Sequence, residues 1–130
     1  MKTIFVVDDN NLSLLIAEEA LSEQYNVITL ASASAMFELL ENVVPDLILL
    51  DVVMPEITGL DALRRLKSDT RYADIPVIYF TSKNDASTEN LGFKMGIVDF
   101  ISKPFSKTVL LERIKTHLAV EDIIRSGSDL

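Results

Sequence analysis

Apolar residues follow two alternating rhythms along this chain. Residues 4–7 (IFVV), 47–50 (LILL) and 77–80 (VIYF) are unbroken apolar runs, the pattern of strands covered on both faces. Residues 26–30 (NVITL) are a weaker run suited to a sheet edge, and residues 99–102 (DFIS) are a short fifth. Between the runs, apolar residues recur at helical spacing. The spacing predicts a helix over residues 11–24 with an Asn at its cap, and one over 34–42 that follows a Ser and carries Met36, Leu39 and Leu40. A third spans 60–68 and repeats Leu60, Leu63 and Leu66. A fourth is capped by Asn84 or Asp85 and ends near residue 95 at Gly96. The last is capped by Ser106 and turns Leu110, Leu111, Ile114 and Leu118 inward.

Strand–helix alternation of this kind implies a parallel sheet with helices on both faces. Five strands within about 120 residues predict an α/β, flavodoxin-like, doubly wound (βα)5 domain with strand order 2-1-3-4-5. The expected domain is residues 1–120, and residues 121–130 are a helical extension, linker or disordered tail. No linker or internal repeat divides the 130 residues, too few for two comfortable domains.

Composition narrows the function classes. At 48% hydrophobic and 25% charged, the chain is an ordinary soluble globular sequence. No apolar stretch approaches the ~20 residues of a membrane span, and the first apolar run is too short for an export signal. A net charge of −8 argues against a nucleic-acid surface. With no cysteine there are no disulfides or thiolate metal sites, which fits a cytoplasmic location.

The predicted fold gathers the polar residues that end the strands. Ligands of open parallel sheets sit beyond the carboxyl ends, where strand order reverses, here between strands 1 and 3. Strand 1 ends in Asp8 and Asp9, strand 3 in Asp51, strand 4 in Thr81 and strand 5 in Lys103. Two carboxylates about 4 Å apart repel by about 4 kcal/mol at an effective dielectric of 20, so three demand protonation or a cation. Hard oxygen ligands beside a place for phosphate suit Mg²⁺ better than Ca²⁺. Lys103 and Thr81 are then placed to receive phosphoryl oxygens, with Asp51 as a carboxylate nucleophile.

These residues lie in four motifs, VVDDN at 6–10, LILLDVVMPEITGLD at 47–61, PVIYFTS at 76–82 and GIVDFISKPF at 96–105. Together, in this order and spacing, they make the chain resemble the receiver domain of two-component response regulators. The resemblance implies that Asp51 is the phosphoacceptor. It implies that Asp9, Asp51 and the Val53 carbonyl bind Mg²⁺ (Mn²⁺ being able to substitute), with Asp8 reaching the metal through water. Thr81 and Lys103 would bind the phosphoryl group. Thr81 and Phe100 would form the switch, Lys103–Pro104 would be a cis peptide, and Val53 and Lys83 would tune hydrolysis. An apolar Val53 cannot orient a water, so a long-lived acyl phosphate is expected. Thr58, where the family more often has Asp, Ser or Asn, is expected to matter no further than its loop. The implied partners are a histidine kinase or histidine phosphotransfer protein, and an output domain or protein at the face built from the fourth helix, fifth strand and fifth helix. No contact with nucleic acid or membrane is expected.

Other classes fit less well. A Mg²⁺-dependent aspartyl-phosphate phosphatase would need an acid where Val53 stands. A flavin carrier would not place two acids in its phosphate loop. A degenerate receiver, binding partners without phosphorylation, is opposed by the intact set of Asp8, Asp9, Asp51, Thr81 and Lys103. Taken singly, these residues have plain structural readings: turn acids, a strand threonine, a surface lysine. His117 is expected to pack at the surface near the end of the last helix and not to carry phosphate. Leu12, Leu14, Leu15, Ile16, Ala17, Ala20 and Leu21 spread around most of the first helix, so a face left uncovered is expected to join the docking surface for the phosphoryl donor.

Overall fold

The computed structural model describes residues 1–82 and 85–127. Five strands alternate with five helices: β1 Thr3–Val7, α1 Asn11–Leu21, β2 Asn26–Leu30, α2 Ala33–Leu40, β3 Leu47–Leu50, α3 Gly59–Ser68, β4 Val77–Thr81, α4 Ala86–Met95, β5 Asp99–Ser102 and α5 Lys107–Gly127. The sheet is wholly parallel with order β2-β1-β3-β4-β5, as the alternation predicts.

Alternate residues of the central strands point to opposite faces. Phe5, Val7, Ile48, Leu50, Val77 and Tyr79 meet Met36, Leu40, Leu63 and Leu66 on the α2–α3 side. Ile4, Val6, Leu47, Leu49, Ile78 and Phe80 meet Leu14, Leu21, Leu110, Ile114 and Leu118 on the α1–α5 side. Both faces are sealed, which is why those runs are apolar without interruption. Helix α4 is the exception, since Gly92 is its single buried residue.

Local chemistry sets the helix ends. The Ser13 N–H donates to the Asn10 side chain and starts α1. That helix stops at Leu21, three residues before the expected end, because the Leu21 carbonyl accepts the N–H groups of both Gln24 and Tyr25, which turn the chain into β2. Helix α2 starts one residue early, because Ser32 caps it through the Ala35 N–H. Thr58 does more than shape its loop: its hydroxyl accepts the Asp61 N–H and caps α3. Asp85 caps α4 at the Thr88 N–H, and Gly96 ends it at φ 108°, a left-handed cap that favours glycine. Asn84 lies outside the described residues. The Val109 N–H donates to the Ser106 hydroxyl at the start of α5. Of the ten residues after 120, those through Gly127 continue α5 as helix.

Candidate functional site

Parallel strands deliver their carboxyl ends to one rim, and the backbone ladder fixes the height of each residue there. The Asp8 N–H donates to the Leu30 carbonyl at 3.0 Å, the Asp51 N–H to the Val7 carbonyl at 3.0 Å, and the Lys103 N–H to the Thr81 carbonyl at 2.9 Å. Asp8 is fully buried, Asp51 is 6% exposed and Thr81 is 1% exposed, while Asp9 faces solvent. One carboxylate oxygen from each of Asp8, Asp9 and Asp51 lies within 4.8 Å of the others.

The ammonium of Lys103 is the counter-charge. It pairs closely with Asp8 Oδ2 and stands 3.3 Å from Asp51 Oδ2. Its Nζ also lies 4.7 Å from the centroid of the Phe80 ring, a cation–π contact that helps seat the cation at a half-buried rim. Asp8 Oδ1 accepts the Asn10 N–H at 2.9 Å, and Asp51 Oδ1 accepts the Val53 N–H at 3.2 Å. Burial pushes the Asp51 carboxyl above the ordinary carboxylate value. A hydrogen bond with the Thr81 side chain opposes the rise, the Asp8 charge adds to it, and Lys103 and the Val53 N–H oppose it. One lysine therefore does not neutralise the cluster.

That imbalance bears on a metal. Three hard carboxylates converge, and burial and mutual repulsion disfavour the charge of Asp51. The donor set is all oxygen, so the residues fit Mg²⁺ chemically.

The remaining predicted residues fall around this centre. Val53 is 55% exposed at the rim. The Lys103–Pro104 peptide is cis. Phe100 is half-buried with its ring edge-on to Tyr79, centroids 6.4 Å apart. Lys83 lies outside the described residues. His117 Nε2 stands 2.9 Å from Asp99 Oδ2, while Arg113 holds Asp99 Oδ1 at 2.8 Å.

Three further features support the site. A Cβ on Gly59 would lie 2.3 Å from the Asp51 carbonyl oxygen, so the loop closes on the end of β3 only with glycine there. Glu56 carries φ 67° in the same loop. The Tyr79 hydroxyl donates to the Gly59 carbonyl at 3.2 Å. A tyrosine inside a run of buried Val, Ile and Phe was the available signal, because a buried hydroxyl needs a partner.

With this geometry in hand, known proteins offer close parallels. The profile of the response regulator receiver domain matches residues 4–115. A "Probable cyclic di-GMP phosphodiesterase" of Vibrio cholerae is 36% identical over 130 residues, covering 98% of this chain and 30% of its own length. The phosphate regulon transcriptional regulatory protein PhoB of Pseudomonas aeruginosa is 35% identical over 118 residues, covering 90% of this chain and 52% of its own length. The chain thus spans about half or less of these curated relatives. Among solved structures, a response regulator from Desulfuromonas acetoxidans aligns with a TM-score of 0.84 at 32% identity, covering 92% of this chain and 98% of that one. A CheY-like receiver domain protein from Methanospirillum hungatei gives 0.87 at 26% identity, covering 94% of this chain and 97% of that one.

Proposed function

The chain belongs to the response regulator receiver domain family, and on that footing we propose that it accepts a phosphoryl group from a phosphohistidine onto Asp51. The observation that carries this reading is the setting of Asp51: a buried carboxylate ringed by Asp8, Asp9, Lys103 and the Thr81 hydroxyl at the reversal of strand order. A carboxylate oxygen of Asp51 attacks phosphorus and forms the acyl phosphate. The bond from phosphorus to imidazole nitrogen breaks, and the imidazole keeps the electron pair. Lys103 is released in part from Asp8 to pair with the incoming phosphoryl oxygens, and the Thr81 hydroxyl donates to another. Asp9, Asp51 and the Val53 carbonyl would hold Mg²⁺, or Mn²⁺ in its place, with Asp8 reaching it through water. The metal supplies charge neutralisation for the carboxylates and the transferring group. Phe100 and Thr81 then bias the face formed by α4, β5 and α5 between two pre-existing arrangements.

The donor surface we assign to α1. Leu12 is 63% exposed and Leu15 is 59% exposed, and Ile16 lines a cleft with Phe105 and Lys107. A four-helix phosphotransfer bundle or kinase helix pair presenting apolar residues around its histidine would cover them. Leu15→Glu should slow phosphotransfer from the donor at least tenfold while leaving phosphorylation by acetyl phosphate intact. Unchanged donor kinetics would remove α1 from the interface. We take the receiver unit to be residues 1–120, with the residues after it through Gly127 continuing α5 as a helical extension.

The test of the central reading is chemical. With acetyl phosphate and Mg²⁺ the chain should gain one acid-stable, base-labile phosphoryl group, and Asp51→Asn should gain none. An unmodified wild-type chain, or an adduct that survives Asp51→Asn, rules out Asp51 as acceptor.

A further inference from the structure

Tyr79 does not appear in the phosphoryl chemistry, yet it meets the loop after Asp51, helix α4 and Phe100. It is 1% exposed, two residues before Thr81 on β4. Its hydroxyl reaches the Gly59 carbonyl at 3.2 Å, and the Gly59 N–H donates to the Val52 carbonyl at 2.8 Å. The next residue, Val53, gives its N–H to Asp51 Oδ1. A short relay of backbone groups therefore joins the Tyr79 hydroxyl to the Asp51 carboxylate. On its other sides, the ring meets Phe100 edge-on at 6.4 Å. Helix α4 rests on it as well: a Cβ at Gly92 would lie 3.0 Å from Tyr79 Cε2. That glycine is the sole buried residue of α4, and the Tyr79 ring shares the seat beneath it with Ile97, whose Cδ1 would lie 2.7 Å from the same Cβ.

The space beside the ring is not filled. A cavity of about 340 Å³ lies between the β3–α3 loop and α4, lined by Tyr79, Val53, Met54, Thr58, Thr88 and Leu91. Dense packing holds a side chain in one arrangement, and a void beside it removes that restraint. Tyr79 is thus fastened at its hydroxyl and seated against Phe100 and α4, with the adjoining space as the room into which ring and helix can shift together. Burial drives its hydroxyl well above the ordinary tyrosine value, so it stays protonated and a donor at every working pH.

We propose that Tyr79 is the positioning residue that couples the phosphoacceptor loop to α4 and Phe100, its hydroxyl reading the loop through Gly59 and its ring carrying α4 through Gly92. This rests on Asp51 as the acceptor. A shift of residues 52–59 toward a phosphoryl group drags the Gly59 carbonyl, tilts the ring, and lets α4 settle into the adjoining cavity. In the resting chain the same hydrogen bond holds the Val53 end of the loop in place for metal binding.

The full chain with Tyr79→Phe keeps the ring and loses the tether. Tyr72→Phe is the control, because the Tyr72 hydroxyl is an equally buried donor, to the Leu40 carbonyl at 3.1 Å, far from the rim. Each protein is titrated with Mg²⁺ and then with beryllofluoride, which bonds a carboxylate as an acyl-phosphate mimic, while backbone amide shifts are followed by NMR. Both variants should lose similar stability. Tyr79→Phe alone should bind Mg²⁺ about fivefold more weakly, the scale of one lost buried hydrogen bond. With beryllofluoride, its loop amides should respond as in wild type, while the shifts in α4 and at Phe100 fall by more than half. A Tyr79→Phe chain whose α4 responds like wild type, or a Tyr72→Phe chain with the same loss, overturns the coupling role. A wild-type chain that takes no beryllofluoride at Asp51 overturns the acceptor reading itself, and this inference with it.

Discussion

At the scale of single residues, charge placement decides the behaviour of the rim. Among the described residues, Lys103 is the cation paired with buried Asp8 and close to Asp51. Removing one partner of a buried ion pair leaves the other charge uncompensated, which costs about 3–5 kcal/mol. Lys103→Met should therefore lower the unfolding free energy by about 3 kcal/mol, measured by urea denaturation without metal. Saturating Mg²⁺ should recover part of that loss, since a second cation takes over the compensation. Val53 sets a different property. Its side chain is apolar and exposed beside Asp51, so under the proposed chemistry it would screen an acyl phosphate there without orienting a water. Val53→Asn should shorten the acyl-phosphate half-life about tenfold, equivalent to about 1.4 kcal/mol of barrier, in a phosphate-release assay. A wild-type half-life of only seconds would contradict the screening role. The acids, Thr81 and Lys103 were legible because each ends an apolar run, so the fold alone gathers them. Glu56 was not, because nothing in the string PEIT announces a left-handed residue.

At the scale of elements, the helices differ in what holds them. Helix α3 buries Ala62, Leu63 and Leu66, whereas α4 buries only Gly92, so α4 leans on its caps and on Tyr79. Asp85→Ala removes the acceptor of the Thr88 N–H, bonded at 2.7 Å, at a cost of about 1 kcal/mol. That loss should appear as faster hydrogen exchange confined to the first turns of α4, with exchange in β1 and β3 unchanged. The β5–α5 contact is tied by charge instead. Burial pushes the Asp99 carboxyl up, but hydrogen bonds with His117, the Phe100 N–H and Arg113 outweigh it and hold the group below the ordinary carboxylate value. A depressed acid contributes stability above the unfolded-state value of about 4 and loses it as pH falls through the folded one. Asp99→Asn should lower stability at pH 7, and in urea denaturation followed across pH its difference from wild type should shrink as pH falls below about 4. Elements were readable from periodicity, while their ends were not. The end of α1 at Leu21 lies in a turn whose Leu21 carbonyl accepts two N–H groups on the way to β2, a backbone pattern that apolar periodicity does not announce.

At the scale of the whole molecule, a sealed two-sided sheet carries an anionic rim that the core does not compensate. The core was legible because unbroken Val, Ile and Leu runs have no other stable destination than between two helical layers. The rim is legible for the opposite reason: a chain with net charge −8 that still crowds three acids within 4.8 Å accepts repulsion in exchange for a site. Ligand linkage makes that trade measurable. A cation that binds only the folded chain stabilises it by about 2.7 kcal/mol at one hundred times its dissociation constant. Mg²⁺ should therefore raise the melting temperature in a concentration-dependent way, with Na⁺ at equal ionic strength giving a smaller, non-saturating effect. Asp9 separates site from scaffold, since its side chain is exposed and the metal-free fold does not depend on it. Asp9→Asn should leave the metal-free melting temperature unchanged or slightly higher, because one repelling charge is gone, and should abolish the Mg²⁺-dependent rise. A rise that survives Asp9→Asn would mean that the stabilising cation sits elsewhere on this acidic surface, and the three carboxylates would then owe their convergence to the strand ends alone.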